Sequence, residues 1–211
     1  RFFRDWALKT KGLYVGVSLP PEFRAPDASV TSRILEGALL PVCQELNLPL
    51  ALMIGVRRQV NPELRMAGDG MGRGSVESVE WLCKTYPKNK FMATFLSREN
   101  QHQACVAARK FRNLLLFGCW WFVNNPSIIE ELTLERLELL GTSFIPQHSD
   151  ARILDQVLYK WAHSRRIIGD VLFRKYSDLL AAGWALEEGD LKRDVEAFFG
   201  GNFESFLRRK L

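Results

Sequence analysis

The sequence predicts an α/β protein built from parallel strands with helical crossovers. Short apolar runs alternate with helical segments, and these runs are apolar throughout instead of alternating with polar residues. Strands that are buried on both faces have this pattern, which is typical of a parallel sheet covered by helices. Hydrophobic residues make up 47% of the 211 residues, so the chain can bury a packed core.

Four apolar runs carry this prediction, after an earlier β-like run at Leu13–Val17: Leu50–Val56, Phe91–Leu96, Leu114–Phe117 and Ser143–Ile145. A closed (β/α)8 barrel has eight strands. The chain is therefore either half of such a barrel or a smaller open sheet. Either sheet would expose a pairing edge, which natural proteins avoid. We expect a second copy, another chain or the amino-terminal segment to cover that edge, so a homo-oligomer is one expected arrangement.

The helices have recognisable starts and stops. A serine or threonine in Ser29–Ser32 caps a helix that runs to Glu45 and is kinked or divided by Pro41, and Ser75 caps the next helix. Pro126 starts a helix that ends at Gly141. Between them, Arg57–Ser75 is a glycine-rich loop too long for a simple connector. Two helical stretches, Ile153–Ala182 (with a possible break near Gly169) and Glu188–Leu207, close the chain.

Composition excludes several classes of protein. The net charge of +5 lies partly in Arg165-Arg166 and Arg208–Lys210, which favours a solvated basic surface over nucleic-acid binding. No apolar run has membrane-spanning length. The 4 cysteines form no Cys-x-x-Cys pair, which predicts buried, reduced thiols in a cytoplasmic protein. We expect a single domain over residues 1–211 and, since Arg1 is no initiator Met, the carboxyl-terminal portion of a longer barrel.

Asp150 is the first candidate for chemistry. It follows the last apolar run, with His148 and Ser149 before it and Arg152 after it. A carboxylate there can bind a divalent metal or act as a base, and Arg152 can hold a substrate carboxylate through two hydrogen bonds. The alternatives are that Asp150 caps the next helix, that Arg152 pairs on the surface, and that His148 is structural.

The segment Gly118-Cys119-Trp120-Trp121-Phe122, followed by Ser149-Asp150-Ala151-Arg152, resembles the carboxyl-terminal half of the uronate isomerases. These are metal-dependent (β/α)8 barrels of the amidohydrolase superfamily. Their Thr-Asp-Ser-Arg segment after the last strand matches here at Asp150 and Arg152. The resemblance implies that Asp150 is a metal ligand and proton-transfer group. It also implies that Arg152, Trp120 and Trp121 contact the substrate.

The resemblance spans about Leu50 to Leu207. Met53-Ile54-Gly55 and Arg58 resemble the family's His-Ile-Gly strand end and following Arg, with methionine in place of the histidine. Ser97–Asn100 resembles its Pro-Arg-Asp-Asn turn, and Arg165-Arg166-Ile167 resembles part of its Phe-Arg-Arg-Ile helix. The family's His-x-His metal pair has no counterpart here. A divalent metal, with zinc expected, would therefore need the missing amino-terminal half.

The resemblance implies interconversion of an aldo- and a keto-uronate of the glucuronate/fructuronate type. Asp150 would be metal ligand and base, Arg152 and Arg58 would hold the small-molecule uronate, and a tryptophan would form a wall. Because parallel strands deliver their carboxyl ends to one face, we expect Asp150, Arg152, Arg58 and Trp121 to converge. Methionine transfers no protons, so Met53 favours the alternative, an inactive sugar-acid-binding or structural relative.

Overall fold

The computed structural model describes residues 1–211, which form two compact units. The first unit contains Arg1–Leu116 together with Phe206–Leu211, and the second contains Phe117–Ser205. The single domain over residues 1–211 stays a prediction. The α/β class with a parallel sheet is confirmed, because helices connect the parallel strands in the order that the sequence predicts.

The strands are β1 (Val15–Leu19), β2 (Leu50–Ile54), β3 (Val56–Arg57), β4 (Gly70–Met71), β5 (Phe91–Phe95) and β6 (Leu114–Leu116). Four of them form a parallel sheet in the order β1-β2-β5-β6. Every residue of β5 and β6 is buried, and β2 is buried except for the half-buried Met53. This burial explains why these strands are apolar throughout. In β1, at the edge of the sheet, exposed and half-buried residues alternate before Leu19.

The helices of the first unit are α1 (Phe2–Thr10), α2 (Val30–Ile34), α3 (Leu40–Glu45), α4 (Val76–Thr85) and α5 (Gln101–Lys110). The predicted serine caps are present: Ser29 Oγ accepts from Ser32 N at 3.1 Å, and Ser75 Oγ accepts from Ser78 N at 3.0 Å. The predicted division near Pro41 is confirmed. A π-helical turn separates α2 from α3, and Pro41 lies just after it. Proline has no N–H to donate to the preceding turn, which accounts for a changed hydrogen-bonding pattern at this point.

The second unit is mostly helical, with α6 (Pro126–Leu140), α7 (Leu154–Ala181), α8 (Glu188–Glu196) and the start of α9 (Asn202–Arg208). Its core packs Ile129 and Leu132 of α6 against Ile168 and Leu172 of α7, with Phe144 also buried there. None of the helices combines the length and the apolar character needed to cross a membrane.

Three sequence predictions need correction here. The predicted strand Ser143–Ile145 is reduced to a single parallel bridge between Phe117 and Ile145. Helix α7 runs without a break through Gly169, because its backbone hydrogen bonding tolerates a glycine on an exposed face. The predicted helix Glu188–Leu207 is divided at Gly200, whose φ of 156° is not helical.

Candidate functional site

Two loops of the second unit carry most of the predicted site residues. The segment Gly118–Asn124, here called the tryptophan loop, follows the bridge residue Phe117 and contains Trp120 and Trp121. The segment Pro146–Ile153, here called the aspartate loop, follows the bridge residue Ile145 and contains Asp150 and Arg152. The bridge is parallel, and Gly118 N donates to Ile145 O at 2.7 Å, so the two loops start side by side.

Close packing between the two loops depends on Gly118. This residue has a φ of +66°, and a Cβ atom added to it would lie 2.0 Å from His148 Cδ2. The Phe117 and His148 rings also contact each other, with their centroids 5.1 Å apart. Only glycine fits a backbone position with both constraints. Glycine therefore allows the aspartate loop to pack directly on the start of the tryptophan loop.

Asp150 does not cap the following helix. Helix α7 begins at Leu154 with Ile153 as its N-cap residue, and no side chain makes the capping hydrogen bond. Asp150 instead has a φ of 45°, in the left-handed region. Trp121 has a φ of 42°, which is rarer for so bulky a residue. Such conformations cost about 1–3 kcal/mol each and cluster at functional sites.

The electrostatic surroundings of Asp150 come from three side chains of the second unit. Burial raises the pKa of the Asp150 carboxyl above its ordinary value. The positive charges of Lys160 and Arg152, and a hydrogen bond from Trp120, act in the opposite direction without cancelling that effect. Lys160 Nζ also donates to the backbone oxygen of Asp150 at 3.1 Å. A carboxylate with a raised pKa that stays ionised near cations is suited to act as a base.

The two tryptophans have different surroundings. Trp120 is buried, and its interaction with the Asp150 carboxyl opposes the rise in the pKa of that group. Trp121 is half-buried, and its ring stacks on Phe122 with centroids 4.6 Å apart. Arg152 is exposed, and its backbone N–H donates to Gln156 Oε1 at 2.8 Å. Of the residues predicted to converge on Asp150, Arg152 acts on its carboxyl, and convergence of Trp121 stays a prediction.

Arg58 lies in the first unit, where the loop after β2 folds back on itself. Arg58 Nη1 donates to Asp69 Oδ2 at 2.5 Å, and Gln59 N donates to Asp69 Oδ1 at 2.9 Å. Strands β3 and β4 pair within the same loop, so the stretch predicted as an irregular loop is a small antiparallel hairpin. Convergence of Arg58 with Asp150 stays a prediction.

In the Met53-Ile54-Gly55 segment, the backbone conformation and close packing at Gly55 require a glycine. Gly55, the glycine of that motif, has a φ of +123°, and a Cβ atom there would lie 3.0 Å from Gly72 O. Met53 itself is half-buried in β2, in register with Ser18 of β1 and Thr94 of β5. None of these three side chains titrates near neutral pH.

The sequence analysis missed three residues around the site. Lys160 reaches back from α7 to Asp150. Arg136 of α6 is buried and donates to Gly118 O at 2.9 Å. Gln147 is buried between the two loops. A lysine or arginine on a helix gives no local sequence signal of such a contact. Gln147 lies between the predicted strand Ser143–Ile145 and Asp150, so its position could have marked it as a candidate.

His148 is held neutral. Burial, together with the charges of Arg136 and Lys160, lowers its pKa to about 4. Its Nε2 atom is inaccessible to solvent and has no hydrogen-bond partner. A neutral imidazole packed on Gly118 agrees with the structural alternative for His148.

A divalent metal, which the resemblance implies, does not fit the residues of this chain taken alone. No group of three or more His, Cys, Asp or Glu side chains is positioned to hold an ion. The charged side chains acting on Asp150 are both cations, Lys160 and Arg152, and these oppose a second positive charge. The role of Asp150 as metal ligand therefore stays a prediction.

Comparison with known proteins identifies the fold. No protein-family model and no curated protein sequence matches the chain. Among solved structures, a uronate isomerase from Bacillus halodurans superimposes with a TM-score of 0.96 and 54% sequence identity, over 100% of this chain and 50% of that one. The chain is similar to this uronate isomerase along its whole length. It spans about half the length of the structures that it matches.

Two more distant uronate isomerases share the fold. The uronate isomerase from Thermotoga maritima has 14% identity and a TM-score of 0.80, over 97% of this chain and 51% of its own. The glucuronate isomerase from Caulobacter crescentus has 15% identity and a TM-score of 0.78, over 100% of this chain and 50% of its own. The resemblance to uronate isomerases is thereby confirmed, together with the TIM-barrel type of fold.

Proposed function

We propose that this chain contributes the Asp150 part of the active site of a uronate isomerase. The carrying observation is the 54% identity to a uronate isomerase along the whole chain. The substrate would be a small-molecule aldo-uronate of the glucuronate type, and the product its keto isomer. The reaction class is that of an intramolecular aldose–ketose isomerase.

The surroundings of Asp150 support a role in proton transfer. Isomerisation removes the proton from C2 of the aldo-uronate and returns a proton to C1, with an enediol between the two steps and no net change of redox state. Asp150 would take and return this proton, because its raised pKa makes it a stronger base than an exposed aspartate. Trp120, which interacts with this carboxyl, would orient it.

Substrate binding would rest on the exposed Arg152 guanidinium, which suits a carboxylate through two parallel hydrogen bonds. Trp121 would form a wall of the site. We include Arg58 as a second cation for the substrate, although its contact with Asp69 already engages one of its donors. A zinc ion on Asp150 would need ligands from outside these residues. The 4 buried free cysteines support action in the reducing cytoplasm.

The test is exchange of the substrate's C2 proton with solvent. The protein is incubated with glucuronate in D2O, and loss of the C2 proton signal is followed by NMR, together with formation of the keto-uronate. Glucose, which lacks the carboxylate, is the matched control and should not exchange. Absence of both binding and exchange with glucuronate would contradict the proposal.

A second candidate function is sugar-acid binding without turnover. Met53 favours it, since the residue that the family resemblance makes a histidine is here a side chain that transfers no proton. This candidate predicts glucuronate binding by calorimetry with no C2 exchange. Substitution Met53→His separates the two, because gain of exchange in that variant alone would identify the methionine as the cause of inactivity.

A further inference from the structure

The side chain of Gln147 connects the tryptophan loop, the aspartate loop and helix α7. It is only 1% exposed, and it lies three residues before Asp150. Its Oε1 atom accepts from Cys119 N at 3.1 Å. Its Nε2 atom donates to Asn124 Oδ1 at 2.9 Å and to Ser164 Oγ at 2.9 Å.

The orientation of the Gln147 amide follows from its partners. The backbone N–H of Cys119 can only donate, so the amide oxygen must face it. Both hydrogens of Nε2 then face oxygen atoms, one on Asn124 and one on Ser164. Both N–H groups and the oxygen of this buried amide are therefore paired. A flipped amide would place two donors against each other at Cys119.

Gln147 forms hydrogen bonds with the tryptophan loop near both of its ends. Cys119 directly precedes Trp120, and Asn124 directly follows the short turn Trp121–Val123. Cys119 and Asn124 are both hydrogen-bonded to one rigid, planar amide group, so the segment between them has little freedom to shift. Trp120 lies inside this segment; it is buried, and it interacts with the Asp150 carboxyl.

We propose that Gln147 is a positioning residue of the site, whose amide sets the tryptophan loop against the aspartate loop so that Trp120 meets Asp150. This inference rests on the proposed function, because it assigns a role in the same site. Ser164 Oγ accepts from the amide and anchors it to α7, outside the tryptophan loop. The Gln147–Ser164 hydrogen bond thus stabilises the packing of the amide on α7 and does not directly restrain the tryptophan loop.

This division of contacts supplies a matched pair of variants. Asn124→Ala removes the partner on the tryptophan loop, and Ser164→Ala removes the partner on α7. Each variant leaves one hydrogen of the Gln147 amide unpaired, so both should lose similar amounts of thermal stability. Asn124→Asp keeps an oxygen acceptor for Nε2 and serves as the conservative rescue. Gln147→Met keeps the length of the side chain and removes all three hydrogen bonds.

The first measurement is amide hydrogen exchange in peptides covering residues 118–124, without substrate. Asn124→Ala and Gln147→Met should exchange about tenfold faster there than the unmodified protein, while Ser164→Ala and Asn124→Asp should not. Equal acceleration in Asn124→Ala and Ser164→Ala would overturn the inference, since the amide would then only stabilise the unit. Unchanged exchange in Gln147→Met would overturn it as well.

The second measurement is turnover of glucuronate. Misplacing Trp120 should lower kcat about tenfold in Asn124→Ala with little change in KM, and leave Ser164→Ala close to the unmodified protein. If the unmodified protein neither binds nor converts glucuronate, the proposed function fails. The hydrogen-exchange data still decide whether Gln147 restrains the tryptophan loop. If it converts glucuronate and the two alanine variants have equal kcat, the positioning role is overturned.

Discussion

The loop after β2 and the two loops of the second unit hold their charged residues in different ways. In the first, Arg58 and Asp69 neutralise each other: the Asp69 side chain is 4% exposed and its carboxylate accepts from both Arg58 and Gln59 N. In the second unit, Asp150 makes no ion pair that satisfies it in this way, and burial raises its pKa despite two nearby cations.

We expect this difference to separate a structural charge from a reactive one. A carboxylate saturated by hydrogen bonds is stabilised in its ionised form and is a poor base. A partly buried carboxylate with a raised pKa is a better one. We therefore expect the Arg58–Asp69 pair to keep its own loop ordered and Asp150 to take part in the chemical reaction.

The largest effect should come from Asp150→Asn. We expect the rate of uronate isomerisation to fall by about 10²- to 10⁴-fold, as is usual when a general base is lost. The folded state should not be destabilised. Because the Asp150 pKa is raised on folding, its stabilising contribution is fully present below the unfolded pKa and is lost as pH rises through the folded pKa.

The measurements for this variant are steady-state turnover of glucuronate and thermal unfolding at neutral pH. Asp155→Asn, an exposed carboxylate in the first turn of α7, is the matched control and should keep its turnover. Full activity of Asp150→Asn would assign both carboxylates a structural role and remove the contrast between the two regions.

The next effect in size concerns Gly118. Substitution to alanine imposes a left-handed backbone on a residue with a Cβ atom and drives that atom into His148. We expect the free energy of unfolding to fall by about 2–4 kcal/mol in urea titrations. Gly169→Ala is the control: the site is exposed within α7 and a Cβ would meet nothing within 4 Å. It should gain about 0.5–1 kcal/mol.

A smaller effect is expected for Arg58→Ala. The pair is 65% exposed on the arginine side, so its loss should cost about 1 kcal/mol or less in the free energy of unfolding. The hairpin should loosen, and trypsin should cleave after Arg65 faster than in an Arg57→Ala control. A rise in KM for glucuronate without faster cleavage would instead place Arg58 on the substrate.

The smallest effect concerns the thiols. Burial raises the pKa of Cys43 and of Cys83 to about 12 and raises that of Cys119 as well. At pH 8 we expect iodoacetamide to leave all three unlabelled in the native protein and to label them in urea. In Gly118→Ala, Cys119 should be labelled while Cys83 stays protected. Equal labelling of Cys119 and Cys83 would indicate general unfolding, and not a local loss of packing between the tryptophan loop and the aspartate loop.

Local patterns were sufficient to predict the elements that are defined by short-range chemistry. The serine before α4 and the proline at the start of α6 predicted those boundaries, because caps and first turns involve neighbouring residues only. The apolar runs at β2, β5 and β6 predicted a parallel sheet, since strands covered on both faces have no polar side. Asp150 and Arg152 were found through a four-residue resemblance.

Other features were decided by tertiary structure. The single bridge at Ile145 and the continuous α7 depend on partners distant in the chain. Whether Arg58 was free or paired could not be read from its sequence neighbours, because its partner Asp69 is 11 residues away. For the same reason the raised pKa of Asp150 was not predictable: burial, Lys160 and Trp120 act through space. The sequence by itself determined the class of fold and the type of residue at the candidate site, and packing decided the partners and the burial of each of those residues.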